Sequence, residues 1–81
     1  MSLAMYDMGK LAMNQMERAS RQKHYELALY WATRAISFME DTVTELERTV
    51  PERVETIDKV KQTAESLRAI KIGLLEQALA A

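Results

Sequence analysis

Apolar and polar positions alternate along this chain with a helical period for most of its length. Between Leu3 and Ala19, Met5, Met8, Ala12, Met16 and Ala19 recur at spacings of three or four, which is one stripe along a helix, and Leu11 widens it. Tyr6 and Met13 fall to the side of that stripe. From Tyr25 to Arg48 the same spacing links Tyr25, Ala28, Ala32, Ala35, Met39, Val43 and Leu46, and Leu29, Ile36 and Val50 broaden the apolar face. From Glu52 to Leu79, Val54, Ile57, Val60, Ala64, Leu67, Leu74 and Ala78 follow a heptad frame in which Lys71 is the one charged interruption. Two polar breaks separate these segments, Ser20 to His24 and Thr49 to Glu52.

The pattern predicts three helices, at about 3–19, 25–48 and 52–79, joined by connections too short for anything but antiparallel neighbours. The expected fold is all-α, a single domain over residues 1–81 built as an up-down-up three-helix bundle with long second and third helices. Thr49 and Glu52 have the spacing of a capping box, and Pro51 suits the first turn of the third helix, where its missing N–H is not needed. Glu52, Glu55 and Asp58 load the start of that helix with negative charge, and Glu55 and Lys59 are placed for an i,i+4 pair. Gly9 and the alanines of the second helix leave room for close approach of a neighbour. The second helix has an apolar face wide enough to touch two neighbours. At the far end of the third, Ile70, Ile72, Leu74, Leu75 and Leu79 do not fit one stripe, so this end is expected to meet two surfaces or to serve in self-association.

Composition narrows the picture. The chain has 81 residues, of which 48% are apolar, 28% charged and 6% aromatic. With two glycines and one proline it is poorly suited to a turn-rich β fold. Cysteine is absent, which removes disulfides and thiolate chemistry. The net charge of −1 supplies no field for nucleic acid. No apolar run approaches the roughly 20 residues needed to cross a bilayer, so no membrane insertion is expected and the expected location is the cytoplasm. Acidic side chains (Glu40, Asp41, Glu45, Glu47, Glu52, Glu55 and Asp58) cluster around the second break, while Arg18, Arg21 and Lys23 gather near the first. In an up-down-up bundle these lie at opposite ends.

Candidate chemistry is sparse. His24 is the single histidine and falls in a polar turn, where solvation is its ordinary state. Its spacing from Arg18 is similar to that of the arginine and histidine in HEPN ribonucleases, but here the pair spans a helix end. Glu40 and Asp41 are adjacent and diverge on a helix, so they do not form an acid–base pair. No glycine-rich phosphate loop exists. No catalytic residue, metal site or cofactor is expected, and the chain reads as a non-enzyme. The six methionines, including Met5, Met8 and Met16, are expected mainly in the core, the alternative being that the first helix is loosely held and its methionines line a groove for another helix; Tyr30 and Trp31 are expected either to pack against the first or third helix or to stand as exposed anchors.

The run His24-Tyr25-Glu26-Leu27-Ala28-Leu29, followed by Ala35-Ile36 and Phe38, resembles the signature shared by TPR repeats and MIT (microtubule interacting and trafficking) domains. No second copy of it occurs, and helices this long are foreign to a TPR array. The MIT domain is a three-helix bundle of about this length, and Thr63-Ala64-Glu65-Ser66-Leu67-Arg68 is similar to a pattern in its third helix. The resemblance spans roughly residues 8 to 71. It implies an adaptor that takes a helical or extended segment, such as an ESCRT-like tail, into a groove beside the third helix. By position that groove would involve Val60, Lys61, Ala64, Glu65 and Arg68, with Lys61 standing where the family often has an apolar residue. The alternative expectation is a small self-associating protein, regulator or chaperone-like, that uses Ile70, Ile72, Leu74, Leu75 and Leu79 as a homodimer interface.

Overall fold

The computed structural model describes residues 4–80, in three α-helices: α1 (Ala4–Arg21), α2 (Tyr25–Thr49) and α3 (Val54–Ala80). The expected start of the first helix at residue 3 lies outside the described residues. The three-helix bundle with long second and third helices is the observed architecture, and no strand occurs among the described residues. It measures 45 × 19 × 14 Å, the long axis being close to the roughly 40 Å that 27 helical residues span.

The packing is uneven. Both α1 and α3 lie along α2, and they touch each other very little. This is why α2 needs a wide apolar face. Ala28, Ala32, Ala35 and Met39 are wholly buried, with Thr42 and Leu46 continuing the same line. Small side chains at three of these positions let two helices approach one backbone. The Thr42 hydroxyl, polar within this core, donates to the Phe38 carbonyl at 2.7 Å. From α1 come Gly9, Ala12, Met16 and Ala19, at spacings of three and four. Gly9 is the point of closest approach: a Cβ added there would lie 2.7 Å from Met39 Cε and 3.2 Å from Phe38 Cβ. From α3 come Ile57, Val60, Ala64, Leu67 and Leu74, the heptad row read from the sequence, with Lys71 half-buried in its gap.

The stripe of α1 is narrower than expected. Met8 and Leu11 were placed in or beside it and both are exposed, Leu11 at 63%. With a single neighbour to cover it, α1 buries one line of small residues and leaves its flank open. Met5 and Met13 are half-buried. Trp31 is half-buried against the core, whereas Tyr30 is exposed and meets Trp31 edge-on at 5.1 Å between ring centres. Val54, expected in the heptad row, is exposed at the start of α3.

The two connections differ from their sequence reading in detail. The α1–α2 turn is closed by bonds from His24 N to Ala19 O (2.9 Å) and from Lys23 N to Ser20 O (3.0 Å), a Schellman arrangement. It requires the residue between to be left-handed, and Lys23 takes that conformation with φ 60° in place of the usual glycine. The capping box at the second connection does not form. Thr49 is the last residue of α2, and its hydroxyl donates back to Glu45 O at 2.8 Å. Pro51 and Glu52 occupy a turn, and α3 begins two residues later than expected, with the Arg53 carbonyl accepting the first helical bond from Ile57 N. Glu55 and Lys59 form no ion pair.

Candidate functional site

Two ion pairs set the register of α2 against α3. Lys61 Nζ lies 3.4 Å from Glu47, and Arg68 pairs with Glu40 one heptad further along both helices. The pairs are half exposed and cross the outer groove between α2 and α3. That groove, of about 340 Å³, has Lys61, Ala64, Glu65 and Arg68 on its α3 wall and Glu40, Val43 and Thr44 on its α2 wall. The structure therefore brings together four of the five groove residues expected from sequence. Val60 is the exception: it turns inward and is buried with Ile57 and Leu67. The floor is small and apolar while the rims carry charge of both signs, part of it paired between the two helices.

The row does not stop at Arg68. Lys61, Glu65, Arg68, Ile72, Leu75 and Leu79 follow at spacings of four and three, a second stripe beside the heptad row of the core. Its distal half is apolar and bare: Ile72 is 61% exposed, Leu79 is 79% exposed and Leu75 is nearly half exposed. Of the five residues expected to mediate self-association, Leu74 belongs to the core, Ile70 is exposed on a different side of α3, and Ile72, Leu75 and Leu79 share this stripe. The misfit to a single stripe noted in the sequence is thus resolved: this end of α3 has one buried line and one uncovered line.

A second groove has an α1 methionine, Met8, in its lining. It lies between α1 and α2, has a volume of about 420 Å³, and is lined mainly by Met8, Leu11, Trp31, Phe38, Tyr30 and Arg34. The Arg34 guanidinium sits 5.7 Å from the Tyr30 ring centre and 5.5 Å from that of Phe38, within cation–π range of both. Among the described residues no carboxylate pairs with it. The sequence held a signal for this site: Leu27, Trp31, Arg34 and Phe38 recur at spacings of four, three and four beside the alanine stripe. That signal could not be separated from ordinary core while Met8 and Leu11 were counted as buried.

His24 is exposed in the turn, away from both grooves. Among the described residues no group of three or more His, Asp or Glu side chains is gathered as a metal site, and no helix is long and apolar enough to cross a membrane. Set against protein-family models, curated proteins and solved structures, the chain has no significant match in any of the three.

Proposed function

We propose that this chain is a non-catalytic protein–protein interaction module, MIT-like in the sense of its sequence resemblance, that receives an amphipathic helical segment along the free flank of α3. The observation that supports it is the second stripe of α3. Ile72, Leu75 and Leu79 present anchors at i, i+3 and i+7, the spacing at which one helix meets another in a groove. Lys61, Glu65 and Arg68 continue the line with charge, which fixes the direction of a partner better than it adds affinity. A partner helix laid here would add a fourth helix against α2 and α3. Its matching face would carry apolar residues at one end and charges of both signs at the other. No side chain has to do chemistry.

The reading is tested with a photoreactive residue in place of Ala69, exposed between Arg68 and Ile72, and a panel of amphipathic helical tails as probes. A bound tail should cross-link there, and Leu75→Glu should abolish its binding while far-UV ellipticity stays unchanged. Tails that bind equally well to the variant would refute the assignment to α3.

A further inference from the structure

The molecule carries two unmatched surfaces, and each has what the other lacks. On α3, Ile72, Leu75 and Leu79 form an exposed apolar row, with Glu76 next to Leu75; among the described residues no cation pairs with Glu76. Between α1 and α2 an apolar groove holds a guanidinium that no carboxylate among the described residues pairs with. From these we infer that the occupant of the α1–α2 groove is the C-terminal part of α3 from a second copy of this chain, with the Glu76 carboxylate of one copy set on Arg34 of the other. The inference rests on the proposed use of the α3 flank as a helix-docking row and names both its partner and the face that receives it.

Three features support a second copy. The first is charge: the groove offers one cation and no acid in its lining, and the row offers one free acid beside its central anchor. The second is shape: a row of large aliphatic anchors on a helix is what a groove floored by Met8, Leu11, Trp31 and Phe38 accepts. The third is level along the molecule. Glu47–Lys61 and Glu40–Arg68 show that stepping seven residues back on α2 matches seven forward on α3. The same step places Leu75 level with Thr33, in the middle of the groove's α2 wall. Row and groove therefore stand at the same height, so two copies related by a two-fold axis can exchange α3 ends reciprocally. That closes the assembly at a dimer, where a displaced row would propagate an open chain. A foreign helix on α3 and the second copy would compete for the same three anchors.

The experiment is sedimentation velocity on the full chain from about 5 μM to about 500 μM, a span that covers weak association. The proteins are wild type, Leu75→Glu, Arg34→Glu, Glu76→Arg and the double variant Arg34→Glu/Glu76→Arg, each checked for unchanged helix content. The wild type should dimerise, with the single tryptophan, Trp31, shifting its emission to the blue as the groove fills. Leu75→Glu should stay monomeric. Each charge reversal should weaken the dimer at least about tenfold, and the double variant should recover most of that loss, because the pair is re-formed with its signs exchanged. A wild type that remains monomeric at the highest concentration overturns the second copy as occupant and leaves the α3 flank to its own cross-linking test. A dimer broken by Leu75→Glu but indifferent to Arg34→Glu overturns the groove as receiver and keeps α3 as an interface. A dimer indifferent to Leu75→Glu overturns the inference, and the cross-linking result then decides the α3 flank separately.

Discussion

Gly9 and Gly73 form a matched pair for testing how closely α1 and α2 approach. Both sit inside helices, so replacing either with alanine recovers the same intrinsic helix propensity, about 0.8–1.0 kcal/mol. At Gly73 an added Cβ meets nothing within 4 Å, and the full gain should appear. At Gly9 the Cβ lands 2.7 Å from Met39 Cε and 3.2 Å from Phe38 Cβ. The methionine end is flexible, but Met39 is wholly buried, so it can swing only by displacing other core atoms. The Phe38 Cβ is fixed to the α2 backbone and yields only if the helices part. Overpacking of this kind costs about 1–3 kcal/mol. Propensity cancels between the two variants, so Gly73→Ala should exceed Gly9→Ala in stability by about 1–3 kcal/mol, with Gly9→Ala at or below wild type. For a chain this size that is about 4–8 °C in Tm for each kcal/mol. Urea denaturation followed by far-UV ellipticity at low protein concentration measures both, and unchanged slopes confirm that midpoints report stability. Equal stabilisation by the two substitutions, within about 0.3 kcal/mol of each other, would refute the close α1–α2 contact and with it the walls of the groove above.

Four further outcomes are expected. Lys23→Gly relieves a left-handed lysine in the α1–α2 turn and should raise stability by about 0.5–1 kcal/mol in the same urea assay. Leu67→Ala removes the large side chain most deeply buried on α3 and should cost about 2–5 kcal/mol in the same urea assay. Lys71→Leu completes the heptad row between Leu67 and Leu74 and should raise Tm by several degrees, about 1 kcal/mol in stability. Arg68→Ala breaks a half-exposed ion pair with Glu40 and should change stability by less than about 1 kcal/mol, a difference that shrinks further when the measurement is repeated in high salt.

Helix count, order and most of the core were legible because 3.6-residue periodicity is strong in this chain. The lines 28-32-35-39 and 57-60-64-67-74 emerged from spacing alone. What spacing cannot supply is the width of stripe a neighbour covers. Met8 and Leu11 lie within the apolar arc of α1, yet α2, its one close neighbour, covers only part of that arc, and so they form the wall of a groove. The helix ends were misread for a different reason. Thr49-x-x-Glu52 satisfies a local rule, but the threonine hydroxyl has a nearer acceptor in the preceding turn of its own helix, at Glu45 O. At Lys23 no glycine marks the left-handed position, so the Schellman turn left no trace in the residues. Lys61, Glu65 and Arg68 line the α3 groove because they fall one step off the core heptad, and Ala64, inside that heptad, is small enough to form its floor, whereas Val60 in the same heptad points into the core.

The near absence of contact between α1 and α3 has a kinetic consequence. Almost every tertiary interaction joins helices adjacent in sequence, so little loop-closure entropy stands between the unfolded chain and either hairpin. Chains with such local topology fold in microseconds to milliseconds. Each hairpin can also open without the other. Amides of α1 and of α3 should therefore exchange with deuterium through separate partial openings, each leaving the other helix protected against α2.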